Sequence, residues 1–191
     1  MSAYRRLRRS GASYFFTVNL ADRSARLLVE HIDLLRGAYA AMIRDRPVVC
    51  DAMVILPGHL HAVWTLPEGD ADYSVRWGAL KARFTRGVCR AGVCPPQELP
   101  VVRAGRHAGL KPGLRRHKRE AGVWQRRFWE HMIRDEADYR AHVEYCWGNP
   151  VKHGFVARAA DWPFSSIHRD IRAGRVAPEW GGGEVEGEFG E

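Results

Sequence analysis

The sequence predicts an α+β domain: a ferredoxin-like (RRM-like) antiparallel sheet in β-α-β-β-α-β order, followed by an additional C-terminal helix. Three observations lead there. Segments 13–20 and 59–66 alternate with the period of two of a strand, and 48–56 is apolar on both faces apart from Asp51. Segments 28–42 and 74–88 instead carry apolar residues at steps of three and four, the period of a helix lying on a core. The length of 191 residues suits one domain, and 46% apolar residues suffice for one core.

The elements follow in order. In 13–20, Tyr14, Phe16, Val18 and Leu20 share one face while Phe15, Thr17 and Asn19 share the other. Leu28, Ile32, Leu35, Tyr39 and Met42 make one helical stripe over 28–42. The two-sided apolar run 48–56 reads as a central strand, and Pro57-Gly58 as a tight turn in which Pro fixes φ and Gly accepts a positive φ. In 59–66, Leu60, Ala62, Trp64 and Leu66 oppose His59, His61, Val63 and Thr65. Trp77, Leu80, Phe84 and Val88 stripe the helix over 74–88, with Arg76, Arg83 and Arg86 off that stripe. A fourth strand is expected over 126–134 and a helix over 136–148, closed by Asn149-Pro150 because the residue before Pro is pushed out of the α region.

Two segments lack such patterns. Residues 89–122 hold four Pro, five Gly and a run of bases, and read as a basic insertion into the domain of 1–172. Residues 173–191 read as a poorly ordered tail, of which 181–191 contains five Gly, four Glu and no base.

Composition excludes whole classes. Seven Trp, seven Phe and six Tyr are too many for a disordered chain. No apolar run approaches a membrane span, and no apolar stretch follows the basic start as it would in a secretory signal. Four Cys in a chain this size make no disulfide scaffold. The formal charge of +8 and pI of 9.7 point to a polyanionic partner. The charge is concentrated: Arg5, Arg6, Arg8 and Arg9 open the chain without an acid, and nine Lys/Arg face only Glu120 between Arg103 and Arg127.

Two patterns could carry chemistry. His59 and His61, separated by Leu60 on a strand, project from one face about 6.6 Å apart along it, close enough to share an ion. The same pair also fits two polar residues on a half-solvated strand. In the following helix, Tyr139, Val143 and Cys146 form the apolar stripe, and Tyr145 lies off it beside Asp138, Ala141, His142 and Asn149. A reactive hydroxyl with an oxygen ligand one turn away, or a tyrosine packed by tertiary contacts, both match that position.

Taken together, several blocks resemble a known family. They are Tyr4-Arg5-Arg6, Tyr14-Phe15-Phe16-Thr17-Val18, the Leu-Pro-x-His-x-His of 56–61 and the run from Trp64 to Asp70. Trp124 to His131, Tyr145 through Asn149-Pro150-Val151-Lys152-His153-Gly154, and Asp161 to Ser166 follow in order. The chain resembles the REP-associated tyrosine transposases, a branch of the single-tyrosine HUH (IS200-like) transposases, over nearly all of 4–172. The segment 89–122 is longer than in compact members, and the end beyond Gly181 has no counterpart.

The resemblance implies that Tyr145, on the additional helix, is the nucleophile and that His59, His61 and Asn149 hold Mg²⁺ or Mn²⁺. It implies cutting of single-stranded DNA beside a palindromic REP hairpin, leaving a 5′-phosphotyrosine and a free 3′-hydroxyl. It further implies a cytoplasmic, nucleoid-associated bacterial protein, with no membrane partner, acting as monomer or homodimer. Candidates for DNA contact are Arg5, Arg6, Arg8, Arg83, Arg115, Arg116, Lys118, Arg119, Arg126, Arg127 and Lys152. A metal on a non-bridging phosphate oxygen offsets the repulsion between an oxyanion and a phosphodiester. A tyrosine with the ordinary pKa near 10 is ionised to only ~0.1% at neutral pH, so the nucleophile needs a proton acceptor or a nearby positive charge. Two other readings compete: a zinc site of His59, His61 and two of Cys50, Cys89 and Cys94, and a domesticated hairpin DNA- or RNA-binding protein that does not cut.

Overall fold

In the computed structural model, residues 7–93, 122–182 and 189–190 are described. The first strand, β1 (Ser13–Asn19), runs between β3 (His59–Thr65) and β4 (Trp129–Met132), and β2 (Val49–Ile55) lies beyond β3. All pairs are antiparallel, in the order β2-β3-β1-β4. The expected α+β sheet of the ferredoxin-like type is present.

Alternation in β1 and β3 sorts side chains to two faces as expected. Tyr14, Phe16, Val18, Leu60, Ala62 and Trp64 meet α2 (Ile32–Asp45) and α3 (Tyr73–Arg90) in one apolar core. Phe15 and Val63 face the other way, toward α4 (Glu136–Lys152). The first predicted helix is broken at His31, so a single turn, α1 (Leu27–Glu30), precedes α2. Arg76, expected off the core stripe, is buried. Its guanidinium donates to the Pro47 carbonyl and the Asp70 carboxylate, both at 2.7 Å, and so fastens the start of α3 to the entry of β2.

The remaining differences concern β2, the Pro-Gly turn and the end of α4. β2 is an edge strand rather than a central one. It can be apolar on both faces because helices cover both, and its open edge is closed by the chain near 165. The Ile55 amide donates to the Phe164 carbonyl at 2.9 Å and the Ser166 amide to the Met53 carbonyl at 2.8 Å. Such coverage removes a template for unwanted strand pairing. Gly58 has no positive φ. It is required by close approach instead, since a Cβ there would overlap the Arg23 carbonyl oxygen.

Pro150 does not end α4; the helix runs through it to Lys152. Only one intrahelical bond near the end is lost to the missing N–H. The true stop is Gly154 at φ +69°, where the Gly154 amide donates to the Val151 carbonyl and the Phe155 amide to the Pro150 carbonyl, both at 2.9 Å. This left-handed glycine cap satisfies the last carbonyls and fixes the chain's exit. Its consequence is positional, because Asn149 stays helical one turn beyond Tyr145.

A 3-10 turn (Ala159–Asp161) and α5 (Ile167–Arg172) complete the regular structure. Beyond 172, the described parts of the tail join the second core rather than standing apart from it. Val176 and Trp180 pack against it and Phe189 is buried within it. Glycine and glutamate dominate the composition there and conceal three apolar anchors. Most of the 89–122 insertion lies outside the described residues. No helix among the described residues is long and apolar enough to cross a membrane.

Candidate active site

On the α4 side, β1 and β3 present Thr17, His59 and His61 to one face of α4. The two imidazoles lie 5.0 Å apart between ring centroids, and the His61 ring lies 5.2 Å from the Tyr145 ring. Tyr145 is 5% exposed, and Asn149, one helical turn further, is 1% exposed. Nε2 of both histidines and Oδ1 of Asn149 are out of contact with solvent. The sequence expected this pair on an open face. The face is closed, because α4 covers it from above and His61 is fully buried.

Hydrogen bonding fixes the His61 tautomer. The Thr17 hydroxyl donates to the Phe189 carbonyl at 2.5 Å, and its oxygen lies 2.9 Å from His61 Nδ1. With its one proton committed to Phe189, Thr17 accepts from His61, so Nδ1 carries the hydrogen and Nε2 keeps the lone pair. This is how an oriented metal-binding histidine is held by a second partner. Two imidazole nitrogens and an amide oxygen form a neutral set of donors. Such a set fits a divalent ion that also takes anionic phosphate oxygens and water.

Tyr145 has the positive neighbour that a nucleophilic phenol would require. The Lys152 ammonium donates to the Tyr145 hydroxyl oxygen at 3.1 Å and sits 4.9 Å from the centre of its ring. The sequence reading had assigned Lys152 to the DNA backbone. The signal for its other role is the spacing of seven residues, two helical turns, which returns a side chain to the same face. On its other side Tyr145 is covered by Phe189, whose ring stacks on it at 3.6 Å and 10°. Gly190 makes this seat possible, since a Cβ there would collide with the Trp129 side chain.

A polar cluster flanks the site. Asp138 accepts from His131 Nε2 at 2.8 Å and from the Arg134 amide and Nε at 3.0 and 3.1 Å. His142 Nδ1 lies 2.7 Å from the Asp138 carbonyl, and its ring stacks on His131 at 4.6 Å. Burial works to raise the Asp138 pKa, but the bonds from His131 and Arg134 prevail and hold it at about 2. For His142, burial disfavours the imidazolium and lowers the pKa. The ligand-type atoms of this trio lie within 4.8 Å of one another. The i, i+4 pair Asp138/His142 was legible; His131, from β4, was not.

The other candidates are dispersed. Arg8 is paired with Asp72 at 2.9 Å and Arg83 with Asp45, both on the α2–α3 side. Arg126 and Arg127 are exposed before β4. Arg5, Arg6, Arg115, Arg116, Lys118 and Arg119 lie outside the described residues. Of the rival zinc ligands, Cys89 is disulfide-bonded and Cys50 is a free thiol packed with the α2–α3 core. Neither is available beside the histidine pair.

No family model matches the chain. A REP-associated tyrosine transposase of Escherichia coli (strain K12) is 42% identical over 191 residues, which span 100% of this chain and 98% of that protein. The chain belongs to the REP-associated tyrosine transposases. A protein of Haemophilus influenzae (strain ATCC 51907 / DSM 11121 / KW20 / Rd) is 41% identical over 182 residues, 95% of this chain and 94% of its own length. A solved REP-associated tyrosine transposase bound to a REP hairpin superposes with a TM-score of 0.81 at 42% identity, covering 100% of this chain and 98% of the other. Membership in the REP-associated tyrosine transposases agrees with the family resemblance and with the sheet topology described above.

Proposed function

We propose that this transposase is a metal-dependent endonuclease and strand transferase for single-stranded DNA beside palindromic, REP-type hairpins, working through a covalent 5′-phosphotyrosine. The observation that carries the reading is the meeting, within one chain, of Tyr145, the Lys152 ammonium on its oxygen, and the His61 ring. Because these groups belong to one chain, Tyr145 acts in cis in this reading, in a monomer or in each half of a homodimer.

In this reading, His59, His61 and Asn149 would hold Mg²⁺ or Mn²⁺, which would supply Lewis-acid polarisation and charge neutralisation at the scissile phosphate. Lys152 stabilises negative charge as it develops on the Tyr145 oxygen. The phenol oxygen forms a bond to phosphorus as the bond to the 3′-oxygen breaks; the phenol proton is lost and the departing oxygen gains one to become a 3′-hydroxyl. The phosphotyrosine conserves a phosphodiester, so a 3′-hydroxyl can reverse the step and join strands without a nucleotide cofactor. Arg126, Arg127 and the basic segments near the start and in the insertion supply charge for the hairpin backbone.

The test is incubation of end-labelled, hairpin-flanked single-stranded DNA with Mn²⁺ or Mg²⁺, comparing wild type with Tyr145→Phe. A covalent protein–DNA adduct is expected only with wild type and only with metal. Equal hairpin binding by both proteins, without an adduct from either, would mean a binding protein that does not cut.

A further inference from the structure

Beyond the metal-binding pair, a second pocket opens at the far end of α4. It has a volume of about 320 Å³, at the small end of ligand clefts, and its walls include Arg23, Arg26, Gly58, His59, His153 and Phe155. No carboxylate among the described residues lines it, although Glu30 lies 3.8 Å from Arg26. Rings run in series from the nucleophile to this pocket. Tyr145 lies 5.2 Å from His61, His61 5.0 Å from His59, His59 5.3 Å from His153, and His153 6.0 Å from Phe155.

Phe155 is 41% exposed, whereas Phe15, Phe16, Phe84 and Phe189 are buried in the two cores. It is a supported platform, stacked on Trp162 at 5.2 Å and 27°. Trp162 in turn is fixed by donating its indole N–H to the Ile55 carbonyl at 3.0 Å. Phe155 is aimed by the Gly154 cap that ends α4, and the Arg23 wall is brought in by its close approach to Gly58. A ring with one face supported and one face toward solvent, beside two arginines, is the arrangement on which a nucleobase stacks while its phosphates find positive charge.

We infer that this pocket receives the nucleotide on the leaving side of the cut, its base stacked on Phe155 and its phosphate near Arg23 and Arg26. The inference rests on the proposed phosphodiester chemistry and adds a direction to it. Attacking and leaving oxygens lie roughly in line across phosphorus. Tyr145 enters at the His61 end, so the 3′-oxygen departs toward His59 and His153. The strand that ends in the free 3′-hydroxyl therefore runs into the pocket, and the base 5′ to the cut is the one recognised.

The experiment uses full-length protein, hairpin-flanked single-stranded DNA carrying one abasic site at each successive flanking position, and a parallel set carrying 2-aminopurine. With wild type, one abasic position immediately 5′ of the cut lowers adduct formation roughly 5- to 100-fold. Phe155→Ala lowers adduct formation on intact DNA by a similar factor and abolishes the effect of that abasic site; Phe155→Tyr restores both. A Phe155→Ala protein that loses activity in equal proportion on every substrate, with the abasic penalty retained, overturns the inference. So does a sensitive position on the phosphotyrosine side. If wild type forms no adduct at all, the proposed function fails separately, and 2-aminopurine decides the pocket. Quenching by wild type that Phe155→Ala loses upholds it, and quenching unchanged by Phe155→Ala overturns it.

Discussion

Where α2 and α3 cover the sheet, the contact is mainly aromatic and apolar: Trp64 and Trp77 stack at 4.1 Å and 8°, with Phe16, Tyr73 and Phe84 fully buried around them. Where α4 covers the same strands, Thr17, His59, His61, His142 and Asn149 are buried with the apolar residues. Buried polar groups are costly unless their partners are supplied. One face thus buries mainly apolar groups, and the other devotes part of its burial to the polar groups of the proposed chemistry. The largest expected effect breaks the first face alone. Trp77→Ala removes a fully buried indole and lowers stability by about 3–5 kcal/mol, read from the urea midpoint. Tyr145→Phe, which loses the hydroxyl bond to Lys152, shifts that midpoint by no more than about 1 kcal/mol. Equal losses from the two substitutions would erase the distinction between the faces.

The next effect belongs to the α4 face and should leave stability almost unchanged. The Lys152 ammonium meets a neutral phenol in the ground state and a developing phenolate in the transition state, where the charge-assisted bond gains about 1.5–3 kcal/mol. Lys152→Ala is therefore expected to slow adduct formation roughly 10- to 150-fold, while the urea midpoint moves by less than about 0.5 kcal/mol. Without the ammonium the phenol is harder to ionise, so the rate should continue to climb at higher pH than in wild type. Lys152→Arg should recover part of the loss. If Lys152 only touched the DNA backbone, binding would weaken and the pH profile would stay where it is.

Legibility in the sequence differed between the faces for a physical reason. The α2–α3 face announces itself by repetition: Tyr14, Phe16 and Val18 at period two, and Trp77, Leu80, Phe84 and Val88 at helical steps, each match the residue before. His59, His61, Tyr145 and Asn149 were legible because each pair sits on one element, where strand or helix spacing fixes the shared face. Contacts between distant segments left no such trace. Phe189 on Tyr145, Phe164 and Ser166 on the edge of β2, and His131 on Asp138 depend on tertiary approach. Local rules also misled. The rule for residues before proline placed a helix end at Asn149, yet tertiary burial of that asparagine outweighs it and Gly154 supplies the cap.

Phe189 gives a sharper, smaller test of the α4 face. An aromatic pair in contact is worth about 0.5–1.5 kcal/mol beyond its area. A ring stacked on the proposed nucleophile occupies space that a DNA strand would need, so Phe189→Ala should raise the initial rate of adduct formation about 2- to 10-fold. Stability should fall slightly, since a buried ring is lost. A rate that drops together with stability would mean that Phe189 supports Tyr145 rather than screening it.

The smallest effect is absent at neutral pH and appears only as acid is added. His142 has a lowered pKa, so the unfolded chain binds its proton first as pH falls through about 6.5, and folding stability declines from there. Asp138 is held at about 2 against an ordinary value of 3.8, so its contribution is whole above pH 4 and is lost between about pH 4 and pH 2. Urea midpoints measured across this range should therefore fall in two stages. His142→Phe should flatten the first stage, and Asp138→Asn the second, whatever either does to stability at pH 7. Among the described residues the α2–α3 face has no comparable buried histidine, so a first stage that survives His142→Phe would erase the contrast between the faces.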